Sequence, residues 1–285
     1  MLVKSEWKKR EVQNVKTSAK LFCAAAATVA LPVFLAAPGH ASRRQKAPFL
    51  GMNFAHRGLH SRDHSVPENS IPAFRLAARE GYGVELDVHL SRDGQVVVFH
   101  DDTLERVCGV SGRVEDYTFQ ELQQFRLCGT EERIPLLSDV LGVIRGRGPI
   151  ILELKDGPNN RELCRKTLAL LDNYRGSVCI ESFNPLMVAW FRFHARDLVR
   201  GQLAMPAKGY GKMKKPLPFI LSHCLMNFIA RPQFIAYQIG PQPLTVKLAQ
   251  WLGAMKVGWT SHEPRNEKGR DAVIFEFYKP EVSFK

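Results

Sequence analysis

Four short apolar runs in the first half of the chain each close on ionisable residues: "FAHR" (54–57), "VELDV" (84–88), "VVVFHD" (96–101) and "ILELK" (151–155). Glu85 and Asp87 lie two apart on one run. If that run is a strand they share a face, so two carboxylates are buried together. That is costly unless positive charge sits between them. Glu153 is a third carboxylate of the same kind, with Lys155 two residues on. Three converging carboxylates without cysteine make a hard, oxygen-rich site suited to one divalent cation, Mg²⁺ or Ca²⁺. The plainer alternative is a set of separate ion pairs, such as Glu153 with Lys155. His56 and His100 add two imidazoles, and Arg57 and Lys155 two cations. Together these groups match acid/base cleavage of a phosphodiester. One histidine takes the nucleophile's proton, the other protonates the leaving oxygen, and the cations hold the phosphate.

The elements that must position them follow from hydrophobic patterning. Strands are predicted at 52–56, 83–88, 96–100, 150–155, 177–183, 198–203, 234–240, 255–260 and 272–277. Helices are predicted at 70–80, 117–126, 160–174, 185–195, 218–230 and 243–252. Strands alternating with helices predict a parallel sheet, and their number predicts an α/β fold of the (β/α)8 TIM-barrel class. Nine strands are one too many. The pair within 83–100, joined only by a turn at Asp93-Gly94, is the place where an odd member is expected, and the sequence leaves open which of the two it is.

"AHRG", "PENS" (67–70), "VELDV", "DGQVVVFHDD" (93–102) and "LELK" resemble, in order and spacing, the glycerophosphodiester phosphodiesterase family, a TIM-barrel branch of the phosphoinositide-phospholipase-C-like phosphodiesterases. The likeness is strong over 52–156, looser through "IESFNP" and "RGQL", and faint after 210. It implies that Glu85, Asp87 and Glu153 bind the metal and that His56 and His100 are the general acid and base. Arg57 and Lys155 would hold the phosphate, Glu68 would line the site and Asn69 would support its loop. Asn69 and Ser70 are also candidates to cap the helix that follows. His60 and His64 read as loop residues. Trp259 is an aromatic wall by analogy, with plain core packing equally open. The chain departs from the family near its end, where Glu276 stands for the usual aspartate. That change is expected to touch substrate choice and to leave the metal and histidines alone.

The implied substrate is a glycerophosphodiester, hydrolysed to glycerol 3-phosphate and an alcohol. Alternatives are a lysophospholipid substrate (lysophospholipase D), a lyase that stops at a cyclic phosphate, or an inactive membrane-bound binding module. Nucleic acid is not an expected partner. The net charge is +12 over 285 residues, but residues 1–46 carry +7 of it, and no basic–aromatic interleaving follows.

That basic head, 1–46, contains an uncharged apolar run at 21–37, predicted to form an N-terminal hydrophobic helix. It reads as a membrane anchor with an extracytoplasmic catalytic domain at 50–285, or as a signal cleaved near Gly39-His40-Ala41 and followed by secretion, with a buried soluble helix as the third alternative. Residues 38–50 read as a linker. Among six cysteines, Cys108 and Cys128 bracket a loop and could bridge outside the cell. Cys164 and Cys179 read as small buried residues. In 208–234, lysines precede an uncharged stretch, read as a barrel helix behind a solvated loop, with a lipid-interface segment as the alternative.

Overall fold

The computed structural model describes residues 30–211 and 213–284. Its sheet contains all nine predicted strands: β1 Met52–Ala55, β2 Gly83–Leu90, β3 Val96–Val98, β4 Ile150–Leu154, β5 Val178–Ser182, β6 Val199–Ala204, β7 Phe234–Gln238, β8 Met255–Ser261 and β9 Ala272–Phe275. Eight run parallel. They close because β1 pairs with both β2 and β9. The ninth, β3, is antiparallel to the outer end of β2, pairing Val88 with Val98 and Leu90 with Val96. β2 overshoots the barrel mouth, turns, and β3 runs back down. The fold is a TIM barrel with one hairpin strand added at its rim.

Side chains alternate across each strand, and both faces are covered, so all eight residues of β2 are buried. Outward residues such as Val84, Leu86, Leu152 and Ile180 pack on a helix layer through Phe74, Leu141, Leu163 and Phe191. Inward residues Phe54, Ile151, Cys179, Phe234, Met255 and Ala272 fill the base of the barrel. The open mouth above them holds the ionisable groups.

Helices at Ile71–Glu80, Asn160–Leu171, Pro185–His194 and Leu244–Trp251 match expectation. Three corrections apply. The predicted 117–126 helix is one turn, Phe119–Leu122. The predicted 218–230 helix is two, Leu217–Ser222 and Asn227–Ala230, because Cys224 between them adopts a left-handed φ of +50°. Leu137–Ile144 is a helix that was not predicted; its apolar face at Leu137, Val140, Leu141 and Ile144 packs on the outside of the sheet.

Residues 38–50 are not a loose linker. Gly39 donates its N–H to the Pro232 carbonyl (2.9 Å), and a Cβ there would lie 2.2 Å from the Arg231 oxygen, so only glycine permits the contact. Ala41 and Phe49 are buried, Lys46 donates to the Gly253 carbonyl, and Gln45 reaches Asp197. Those partners precede β6, β7 and β8, so the segment packs at the base, opposite the mouth. Most of the 21–37 run lies outside the described residues; its end, 30–36, is helical. Among the described residues no helix is long and apolar enough to cross a membrane. Cys108, Cys128, Cys164, Cys179 and Cys224 are free thiols, so the predicted 108–128 bridge is not formed; Cys23 lies outside the described residues.

Candidate active site

The chain after β1 turns sharply. Arg57 takes a left-handed φ of +54°, and Gly58 follows at +79° within contact of Ala73, where a Cβ would sit 2.8 Å from the alanine's own. Arg57 is held in this uncommon conformation from both sides. Its N–H donates to Glu85 Oε2 (3.0 Å), and its carbonyl accepts from the Asn69 N–H (2.9 Å). Asn69, also left-handed, sends its side-chain amide to Asp87 Oδ2 at 2.9 Å. It is therefore not the helix cap; Ser70 is, accepting from the Ala73 N–H.

The three carboxylates converge. Glu85, Asp87 and Glu153 each offer an oxygen within 4.8 Å of the other two, and all three are buried. The register explains this, because Asp87 and Glu153 are paired neighbours on adjacent parallel strands. Lys155 spans them, with Nζ 2.9 Å from Glu153 and 3.3 Å from Asp87. The ion pair offered as the plain alternative thus exists inside the carboxylate cluster and does not replace it. Burial pushes Glu85 well above the usual carboxylate range, and the charges of Asp87 and Glu153 add to it. Burial raises Glu153 too, against the pull of Lys155. Asp87 goes the other way. Its burial is outweighed by Lys155, His100, Arg57 and the Asn69 hydrogen bond, which hold it well below normal. Three buried carboxylates whose oxygens lie this close together fit a cation site, and an all-oxygen donor set fits Mg²⁺ or Ca²⁺.

Both predicted histidines reach this cluster, by different routes. His56 directly follows β1. Its Nδ1–H donates to Glu276 Oε2 at 2.8 Å, and its Nε2 lies 3.9 Å from Glu85. Burial lowers its pKa below the ordinary value against the pull of Glu276. His100 does not end a barrel strand as expected. It follows the descending β3, whose neighbour Phe99 bonds the Asp87 carbonyl, so the hairpin lowers His100 to the level of Asp87. Its Nδ1 lies 2.6 Å from Asp101 Oδ1. Each imidazole therefore has Nδ1 engaged by a carboxylate, an acceptor when ionised, which leaves Nε2 for chemistry.

Glu68 does not line the cavity directly. It bridges Arg57 Nη1 (2.7 Å) and Arg106 (2.7 Å to each oxygen), while Arg106 also grips Asp101. Burial opposes its ionisation, but the two arginines hold its pKa down to about 2. His60 sits behind the site, with Nδ1 3.0 Å from the His56 carbonyl. His64 is an exposed loop residue. The cavity is about 370 Å³ and is lined on one side by His56, Arg57, Glu85, His100, Glu153 and Lys155. The other side is apolar: Phe183, Leu203, Met205, Trp259 and Ile274. Trp259 stands edge-on to Phe183 (6.0 Å, 86°) and donates its indole N–H to the Ala204 carbonyl.

One residue escaped the reading of the sequence, and the contact made by another was misjudged. Glu181, paired in register with Glu153, is a fourth carboxylate in the cavity, and its Oε2 has no hydrogen-bond partner. Burial and the charges of Glu153 and Asp87 push it well above the normal range. The signal was present in "SVCIESF", where one charge interrupts a strand. Glu276 was expected to leave the histidines alone, and instead bonds His56. Burial opposes its charge, but hydrogen bonds and charge from His56 and His262 hold it down to about 2.

A family model, the glycerophosphoryl diester phosphodiesterase family, matches residues 56–269. The chain belongs to this family. Among curated family relatives, a glycerophosphodiester phosphodiesterase of Caldanaerobacter subterraneus is 36% identical over 144 residues, covering 46% of this chain and 57% of the relative. Human lysophospholipase D GDPD1 is 34% identical over 145 residues, 46% of this chain and 44% of the relative. The chain spans about half the length of the curated relatives it matches. An Oleispira antarctica phosphodiesterase, solved with its product sn-glycerol-3-phosphate, shares the fold with a TM-score of 0.66 at 24% identity, over 81% of this chain and 94% of that one. A Thermotoga maritima glycerophosphodiester phosphodiesterase has a TM-score of 0.59 at 26% identity, over 79% and 93%.

Proposed function

We propose that the chain is a divalent-cation-dependent phosphodiesterase that cleaves glycerophosphodiesters to glycerol 3-phosphate and an alcohol. One observation carries this reading: two imidazoles, each oriented by a carboxylate, face a buried carboxylate triad in a cavity shared with Arg57 and Lys155. Glu85, Asp87 and Glu153 would hold Mg²⁺ or Ca²⁺, which supplies Lewis-acid charge against the negative charge that builds on the phosphoryl oxygens. Arg57 and Lys155 bind the phosphate. One of His56 and His100 takes the proton of the glycerol hydroxyl as it attacks phosphorus, and the other protonates the departing alkoxide. Water then opens the cyclic phosphate with the two roles exchanged, which restores both histidines. Glu68 keeps Arg57 aimed, and Trp259 forms the far wall. Glycerol 3-phosphate release from glycerophosphocholine tests the proposal. A purified protein that binds Mg²⁺ but releases none would reduce it to a binding module.

The apolar half of the cavity favours a second reading, cleavage of lysophospholipids. Activity confined to lysolipid, with none on glycerophosphocholine, would select it. For location we propose an uncleaved N-terminal membrane anchor with the catalytic domain outside the cytoplasm. Its support is the packing of Gly39–Ala41 on the barrel base, where cleavage would remove native contacts. That arrangement directs the mouth away from the end at which the chain enters. N-terminal sequencing of the protein from membranes checks it; a chain beginning at residue 42 would refute it.

A further inference from the structure

We propose that His262 is a positioning residue for His56, acting through Glu276. His262 follows β8 and Glu276 follows β9, and the two strand ends are tied where the Glu276 N–H meets the Ser261 carbonyl at 2.9 Å. His262 Nε2 donates to Glu276 Oε1 at 2.8 Å, while Oε2 of the same carboxylate accepts from His56 Nδ1 at 2.8 Å. A glutamate has three side-chain torsions, and with one oxygen free at a half-open mouth it has several ways to point. Occupying Oε1 removes them and leaves Oε2 on His56.

His262 is itself braced. Its ring stacks on Phe277 (6.2 Å, 27°), and Phe277 takes a left-handed φ of +63°. For a bulky residue that is an uncommon, strained conformation. Phe277 is packed in turn by His60 (5.0 Å, 72°) and by the Arg62 guanidinium (4.8 Å). His60 closes the circuit at the His56 carbonyl. His56 is thus held at its backbone and at its Nδ1 by one rim assembly, and His262 is the half-exposed member that reaches the carboxylate.

The inference rests on His56 acting in the acid/base step, so the test has one readout that does not. Metal-free protein labelled with ¹⁵N-histidine is compared by NMR with H262A and H262Q, each shown to be folded by its thermal melt. In H262A the His56 Nδ1–H resonance should broaden or move toward solvent-exchanging values. Turnover of glycerophosphocholine should fall about three- to tenfold in kcat with KM unchanged, the effect of one hydrogen bond. H262Q, whose amide N–H can still donate to Glu276, should recover most of both. An unaltered His56 resonance in folded H262A overturns the proposal, as does a kcat loss that H262Q fails to recover. A shifted resonance with unchanged kcat would uphold the positioning and count against His56 as acid or base.

Discussion

The inside of the barrel mouth is two unlike halves. Strands β9, β1, β2 and β4 bring Glu276, His56, Glu85, Asp87, Glu153 and Lys155; strands β5 to β8 bring Phe183, Leu203, Met205 and Trp259, joined by Ile274 of β9. Glu181 on β5 marks the seam. The charged half is built against its own burial cost, offset by Lys155 on Asp87 and Glu153, Arg57 on Glu68 and His56 on Glu276. The apolar half is ordinary core that stops short of filling the space. The proposed chemistry falls in the first half, and the second bounds the space beside it.

That division can be broken in order of expected effect. Chelation by EDTA should silence glycerophosphodiester cleavage, with Mg²⁺ or Ca²⁺ restoring it, and calorimetric titration should show D87N or E153Q losing the cation. Undiminished turnover in chelator would remove the metal from the charged half. His56→Ala and His100→Ala should each lower kcat by about 10² to 10⁴ with native near-ultraviolet circular dichroism. If either turns over normally, that imidazole is a bystander.

Glu68→Gln should cost about 1–2 kcal/mol in denaturant unfolding, discounted because its Arg106 partner is half exposed. Glu68 and Glu276 are both held down to about 2 from an ordinary 4.5. Because the unfolded chain takes up these protons first, their stabilisation is complete above about pH 4.5 and is lost as pH falls toward 2. Unfolding measured from pH 5 to 2 should therefore show a shallower slope in the Glu68→Gln variant. An unchanged slope would mean the arginines do not hold that carboxylate.

The smallest effect belongs to the apolar half. Phe183→Leu, which trims the wall away from the charged half, should change glycerophosphocholine turnover by less than about threefold while raising KM for a lysolipid. A loss as large as that of His56→Ala would erase the distinction between the halves.

The two halves also differed in how far they could be read in advance. Glu85, Asp87, Glu153 and Lys155 announced themselves because a charge inside a β-branched run is anomalous and strand alternation says which way it points. Leu203, Met205 and Phe183 could not, since an apolar residue at a strand end looks the same whether it packs core or lines a cavity. Trp259 kept both readings open for that reason.

The strand positions, their alternation with helices and the buried carboxylates Glu85, Asp87 and Glu153 follow from local pattern, because period and burial are local properties. Three things depended on tertiary structure. The hairpin β2–β3 turns back over the mouth, so His100 reaches Asp87 by descending, which no strand-end rule anticipates. The chain ahead of β1 packs on the barrel from Ala36 onward, because the contacts of Ala36 and Gly39 are with chain about 200 residues away. Glu276 meets His56 across 220 residues of sequence, only because the last strand closes the barrel against the first.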